Sequence, residues 1–293
     1  MDKRVYYRSR WLPWLLLAPQ LVVIAAFFFW PAGQTLVQSL QQQDPFGTSV
    51  DWVGLENFQR LFSDESYLAS FQTTAVFSVL VAGLGLALSL LLAVFADRAG
   101  RAALAYRSLL IWPYAVAPAV AGVLWLFLFA PSVGVVSWWL NQFGFEWNSL
   151  LNSRHAMALI VMAAVWKQLS YNFLFFVAGL QAIPKSLIEA AAIDGAGPWR
   201  RFWSIQLPLL SPTTFFLLVI NIVYAFFDTF AIVDAATRGG PGKDTAILVY
   251  KVYFDGFKAM DLGGSASQSM VLMAIVIALT VVQFRFVEKK VNY

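Results

Sequence analysis

Apolar residues run in long blocks along this chain instead of recurring at the spacing of an amphipathic helix. Six blocks stand out, at about residues 11–30, 72–96, 104–130, 156–178, 211–230 and 268–286. Each is close to the roughly 20 residues a helix needs to cross a bilayer core. The pattern predicts an all-α, polytopic integral membrane protein with six transmembrane helices. A short tail over 1–10 precedes one membrane domain over 11–293. Pro113 and Pro118 fall inside the third block, so that span is expected to kink or to unwind by a turn.

The polar gaps between blocks set the orientation. Lys3, Arg4, Arg8 and Arg10 precede the first block, Arg98, Arg101 and Arg107 flank the second gap, Lys185, Arg200 and Arg201 lie in the fourth, and Arg285, Lys289 and Lys290 end the chain. The alternate gaps are longer yet hold only Arg60, Arg154, Arg238, Lys243, Lys251 and Lys258. By the positive-inside rule both termini are cytoplasmic, and the long first and fifth gaps face outward.

Composition agrees with a membrane protein, at 60% hydrophobic and 12% charged residues, about half the usual charged share. The net charge of +4 reflects the cytoplasmic bias. No basic run is interleaved with stacking aromatics, so nucleic-acid binding is not expected. The basic-then-apolar start resembles a signal peptide, but its apolar part is too long and lacks a small-x-small exit, so it is expected to stay as a helix. The absence of cysteine removes disulfides, thiolate metal sites and cysteine nucleophiles. The single histidine, His155, reads as an interfacial residue and not as a metal ligand.

Two motifs invite a chemical reading and fail. The run from Arg238 to Thr245 resembles a phosphate loop, but Thr237 stands where that loop needs glycine and Asp244 where it needs serine or threonine. A Pro/Gly turn in an outer loop accounts for it. Gly83, Gly85, Ala87 and Ser89 are small residues suited to close helix contact. No catalytic constellation remains, so energy must come from another subunit or from an ion gradient.

The most structured polar stretch is the fourth gap, residues 181–210. Ser186 and Glu189 have the spacing of a capping box, and Gly195 suits the left-handed residue that ends a helix. A short helix over Leu187–Asp194 is expected, then a second over Trp199–Gln206, with Leu207-Pro208 turning the chain into the fifth span. Glu189 either caps its own helix or meets a basic group on a partner; the residues alone leave both open.

Polar residues inside the spans mark a candidate pathway. Lys167 sits near the middle of the fourth span, where a charge costs roughly 2.5–3.5 kcal/mol on insertion scales. An anionic solute, an acidic residue on a partner, or a backbone carbonyl freed by a kink would offset that cost. Gln168, Tyr171 and Asn172 add hydrogen-bonding groups. In the fifth span Asn221, Tyr224 and Asp228 share one helical face. They line a pathway, or else Asn221 joins helices while Tyr224 and Asp228 sit at headgroup depth. Asp228 is weighed as a partner of Lys167.

The spacing Glu189-Ala190-Ala191, then Gly195, Ile205 and Leu207-Pro208 resembles the EAA loop of binding-protein-dependent ABC importer permeases at every position. Further blocks are similar to the glycerol-3-phosphate branch of that family. They are Arg8–Pro13, Trp112–Pro118, Val165–Gln168, Tyr171–Phe176 and Tyr224–Asp228. The resemblance implies a type I ABC importer permease fold in a bacterial inner membrane, with a cytoplasmic coupling helix between spans 4 and 5. It also implies a heterodimer with a second permease, two ATPase subunits that use ATP-Mg, and a periplasmic substrate-binding protein. Glu189, Ala190, Ala191 and Gly195 would meet the ATPase, the chain itself would bind no cofactor, and sn-glycerol-3-phosphate would cross by alternating access. The outer gaps, Pro31–Phe71 and Ala231–Ser267, would dock the binding protein or rest on the bilayer.

Other classes fit less well. A secondary transporter needs an ion-coupling site, for which Lys167 and Asp228 are a poor set. A membrane enzyme needs convergent acid, base or metal groups. Within the family, a sugar or oligosaccharide permease is the alternative.

Overall fold

The computed structural model of the chain describes residues 11–44, 48–98 and 103–287. The tail over 1–10 and the cations Arg101, Lys289 and Lys290 lie outside the described residues. Helix α1 runs over Leu12–Ser39 with a π-helical turn at Ala25–Phe29. A small hairpin of β1 (Gln41–Gln43) and β2 (Val50–Trp52) follows, then α2 (Glu56–Ser63), α3 (Glu65–Arg98) and α4 (Ala103–Ile111). A 3₁₀ turn at Trp112–Ala115 leads to α5 (Pro118–Leu128), α6 (Val135–Gln142) and α7 (Ser153–Ala182). Next come α8 (Lys185–Ile193) and α9 (Pro198–Arg201), which passes through a π turn at Phe202–Gln206. The chain ends with α10 (Ser211–Val223), α11 (Phe230–Ala236), α12 (Leu248–Tyr253) and α13 (Leu262–Val282).

Among the described residues five helices are long and apolar enough to cross a membrane, and six if the bent pair at residues 105–128 counts as one span. That pair is the expected third span, and its break is far larger than one unwound turn. Its halves diverge by 105°, because Pro113 and Pro118 both lack the N–H that would continue the helix. Val116 and Ala117 are extended, as residues before a proline prefer.

The other helices overrun their apolar blocks. α1 continues past residue 30 to Ser39, α3 begins at Glu65 instead of 72, and α7 covers 153–182 instead of 156–178. Helix ends are set by capping, not by the apolar window. Asp64 Oδ1 accepts from the Ser66 N–H at 2.9 Å, and Asn152 Oδ1 accepts from the N–H groups of Arg154 and His155.

The chain divides into two compact units. One contains the described residues within 1–63 and 252–271. Here Asn57 Nδ2 donates to the carbonyls of Ser39 and Gln41, at 3.0 and 2.9 Å, locking the hairpin to α2. Gly263 lies so close to the Gln41 carbonyl that a Cβ would come within 2.3 Å of its oxygen. Gln268 Nε2 donates to Asp255 Oδ2 at 2.6 Å.

The other unit contains the described residues within 64–251 and 272–293. Helix α7 is its axis. Toward the start of α7, Leu159, Ile160, Ala163 and Ala164 bury with Phe77, Val81, Ile232 and Ile247. Toward its end, Phe173, Phe176 and Leu180 bury with Ala93, Ala96 and Leu217. Between these apolar clusters runs a polar seam. Asn172 and Asn221 exchange two hydrogen bonds, 3.0 and 2.7 Å, and Asn221 also donates to the Leu217 carbonyl at 2.7 Å. Gly85 covers the pair, with space at 3.5 Å for a Cβ and no more. Ser89 donates to the Leu169 carbonyl at 3.1 Å. The small face expected in the second span thus has a use at Gly85 and Ser89, while Gly83 meets nothing within 4 Å.

This seam sets an expected result. Replacing Asn172 and Asn221 by Ala, singly and together, gives a coupling energy of about 1 kcal/mol in a double-mutant cycle, the upper part of the range for polar pairs in membranes. Equilibrium unfolding of the purified protein in mixed micelles measures it. Additive losses would mean that the two amides act independently.

Candidate functional site

The fourth gap forms a helix–turn–helix knob that stands clear of the rest of its unit. No residue of α8 is buried. Its C-terminus is a Schellman closure: Gly195 at φ +79° donates to the Ala192 carbonyl, and the Ala196 N–H donates to the Ala191 carbonyl, as the motif requires. The start differs from expectation. The helix begins at Lys185 with Pro184 as its cap and no side-chain hydrogen bond there, so the Ser186–Glu189 capping box does not form. Proline's fixed φ already suits a helix entry, and beginning earlier puts Ser186 and Glu189 inside the helix, past the cap position.

Glu189 is therefore free of capping duty. Its side chain is exposed, and among the described residues it makes no hydrogen bond or ion pair. Ala190 and Ala191 keep the helix slim beside it. Ile193 is 86% exposed and Trp199 is 74% exposed, with Trp199, Phe202 and Trp203 packed ring to ring on the surface. Large apolar groups exposed at the tip of a polar loop are features of surfaces that meet another protein or the membrane. Sequence reading missed Ile193, Trp199 and Trp203, although apolar residues among Lys185, Asp194 and Arg200 were the available signal.

One contact anchors the base of the knob and another joins its two helices. With the Gln181 amide turned to face it, Arg107 donates to Gln181 Oε1 from both Nη atoms, at 3.1 and 2.6 Å. Arg201 makes a long 3.5 Å hydrogen bond to the Ile188 carbonyl. Leu207-Pro208 does not turn the chain. Leu207 keeps helical angles, and the wider π turn over Phe202–Gln206 carries the helix into Pro208 where a regular α turn would clash.

The intramembrane residues separate into buried and accessible sets. Asn172, Asn221 and Gln168 are buried, the first two in each other's hydrogen bonds. Tyr224 is also buried, its hydroxyl donating to the Ala164 carbonyl at 3.2 Å. Asp228 is exposed. The shared face of Asn221, Tyr224 and Asp228 is broken because Tyr224–Asp228 is a π turn, whose extra residue rotates Asp228 away. Asn221 joins helices within this chain.

Lys167 does not pair with Asp228. Its Nζ donates to the Tyr114 carbonyl at 2.8 Å and lies 5.0 Å from the centre of the Tyr114 ring. Of the partners considered from sequence, the backbone carbonyl at a kink is the one that the described residues of this chain supply. Tyr114 and Tyr171 are 6.3 Å apart and stacked, and rings continue through Phe175, at 4.8 Å, to Phe216, at 5.1 Å. A half-exposed cation thus stands at the end of an aromatic run.

On the gaps expected to face outward, His155 stacks on Trp147 with ring centres 4.8 Å apart and accepts from the Asn148 N–H at Nδ1. With Asn141, Glu146 and Asn152 it lines an open polar cavity of about 630 Å³. The Gly-rich segment is a turn, with positive φ at Arg238, Gly239, Gly242 and Lys243. Asp244 accepts from the Ser153 hydroxyl, fixing the turn to the start of α7.

Comparison with known proteins places this arrangement. UgpA, the sn-glycerol-3-phosphate transport system permease protein of Rhizobium meliloti (strain 1021), is 61% identical over 99% of both chains. Its namesake in Yersinia pseudotuberculosis serotype I (strain IP32953) is 61% identical over 98% of both. Among solved structures, a bacterial ABC transporter involved in the import of the acidic polysaccharide alginate matches at TM-score 0.79 and 22% identity, over 94% of this chain and 96% of that one. A bacterial alginate ABC transporter in complex with an alginate pentasaccharide-bound periplasmic protein matches at TM-score 0.81 and 20% identity, over 93% and 92%. These two show that the fold is that of an ABC importer permease. The family described as binding-protein-dependent transport system inner membrane component matches residues 85–293, a stretch that includes the whole knob and the cation. With its membrane helices, its unburied loop helix and this match, the chain belongs to the family of binding-protein-dependent transport system inner membrane components.

Proposed function

We propose that this chain is a permease subunit of an ATP-driven importer of sn-glycerol-3-phosphate in a bacterial inner membrane, with both termini cytoplasmic. It works as a heterodimer with a second permease, beside two ATPase subunits and a periplasmic binding protein. The observation that carries the reading is α8, a helix with nothing buried and an apolar residue at its end. Its substrate assignment is supported by relatives of that name with about 60% identity over nearly the whole chain.

In this mechanism the chain catalyses nothing and binds no cofactor. ATP-Mg is held and hydrolysed by the partner ATPases, whose closure is received at Glu189, Ala190, Ala191 and Gly195. The Schellman closure keeps the helix short and stiff enough to transmit displacement. The permease contributes different contacts in its inward- and outward-facing states, which is all that coupling thermodynamics demands. Lys167 and Tyr171 present the accessible polar groups of the pathway, with Asp228 elsewhere on its surface. Gln168, Asn172, Asn221 and Tyr224 hold the helices that position them.

The aromatic run from Tyr114 to Phe216 supports a second reading, a sugar permease, because sugars stack on such rings. Uptake of labelled glycerol-3-phosphate in cells lacking this gene and other glycerophosphate carriers separates the two. A restored copy brings uptake back, and uptake collapses when ATP, not the proton gradient, is depleted. No uptake with the companion subunits present would shift the substrate to a sugar or polyol.

A further inference from the structure

The break in the third span does more than bend it. In an α-helix the carbonyl of residue 114 would accept from the N–H of residue 118, and residue 118 is proline, which has none. The Tyr114 carbonyl is left without its helical donor inside a membrane-spanning unit, where an unsatisfied backbone group is expensive. Lys167 Nζ takes that place at 2.8 Å.

What this partner lacks is charge. A carboxylate would hold Lys167 equally well and cancel it. A carbonyl and the face of the Tyr114 ring, 5.0 Å away, are both neutral, so the ammonium is fixed in position by contacts that carry no opposite charge. It has three N–H donors, and the Tyr114 carbonyl is the one hydrogen-bond acceptor it meets among the described residues. The side chain is half-exposed and stands beside stacked Tyr114 and Tyr171. Among the described residues no acidic oxygen lies within ion-pair distance of it.

We propose that Pro118 and Tyr114 are positioning residues for Lys167. By leaving the Tyr114 carbonyl without a helical donor, Pro118 supplies the neutral anchor that holds an unneutralised cation ready for the anionic group of the solute. This rests on the reading that the solute is an organic phosphate. Lys167 contacts that group; Pro118 and Tyr114 act through Lys167.

The test uses the complete importer in proteoliposomes, with its loaded binding protein and labelled glycerol-3-phosphate as probe, scoring molecules taken up per ATP hydrolysed. Lys167→Gln, which keeps a donor and removes the charge, lowers that ratio by about tenfold or more, while Lys167→Arg stays within about threefold of wild type. Pro118→Ala returns an N–H to residue 118, so that the helix can close and compete with Lys167 for the Tyr114 carbonyl, and lowers the ratio by about threefold. Pro118→Ser, which also restores the N–H, gives the same result if the alanine variant fails to reach the membrane. Combined with Lys167→Gln, the Pro118 change adds no further loss, because both act on one charge. Losses that multiply would overturn the proposal and leave Pro118 a structural residue. A structure of the Pro118→Ala complex gives a readout independent of the solute: Lys167 Nζ leaves the Tyr114 carbonyl, and an unbroken bond overturns the proposal. Absence of uptake by the wild-type complex would instead sink the substrate reading, and the structural readout would still report on the anchor.

Discussion

Reversing the charge at Glu189, as Glu189→Lys, abolishes ATP-driven uptake and leaves folding and membrane insertion unchanged. The side chain is exposed and has no hydrogen bond or ion pair among the described residues. A surface substitution of that kind moves stability by no more than about 0.5 kcal/mol. On the proposed function its effect appears at the contact with the ATPase. Replacing an attractive group by a repulsive one at an interface costs about 2–5 kcal/mol, which predicts a fall in uptake of at least about thirtyfold. Ile193→Asp acts in the same direction for a different reason, since it puts a charge where an exposed apolar side chain seeks a partner. Both variants should appear in membranes at wild-type levels, with ATP hydrolysis no longer stimulated by the loaded binding protein. Uptake near wild type for either one would remove α8 from the coupling surface.

Gly122→Leu has the opposite character, a large loss of folded protein with no contact to solute or partner implied. Helix α5 passes α11 at Gly122, where a Cβ would fall 2.8 Å from the Ile232 carbonyl oxygen and 3.0 Å from the Ala235 Cβ. The first of these is backbone and has no rotamer to give, so the helices must separate. Overpacking of this kind costs about 1–3 kcal/mol for added methylenes and more when backbone must move. Separation also opens the cluster in which Ile232 and Val233 bury beside Leu159 and Ala163. A lower unfolding midpoint and a several-fold reduced steady-state level are expected, with Gly122→Ala between the two. Wild-type thermal stability for Gly122→Leu would mean that α5 and α11 do not pack this closely.

Membrane helices, their approximate places and the helix–turn–helix knob were readable along the chain because each depends on local chemistry. A bilayer demands a continuous apolar stretch, and Gly195 announces a left-handed helix end by having no Cβ. The same local reasoning failed at helix limits. Hydrophobicity reports bilayer depth, whereas Asp64 and Asn152 end helices by satisfying backbone N–H groups further out. It failed again at Ser186 and Glu189, whose capping-box spacing was overruled by Pro184, two residues before Ser186.

Side-chain partners were beyond it altogether. The face shared by Asn221, Tyr224 and Asp228 assumed a regular helix, and one π turn sent Asp228 elsewhere. Asn172 and Asn221 are 49 residues apart and satisfy one another where two helices meet, with Gly85 of a third helix packed beside them. Pro118 declares in the sequence that the Tyr114 carbonyl loses its donor. That Lys167, 53 residues away, replaces it is a fact of packing. Local sequence specifies which backbone groups will lack a partner, and the tertiary structure alone decides which side chain comes within reach.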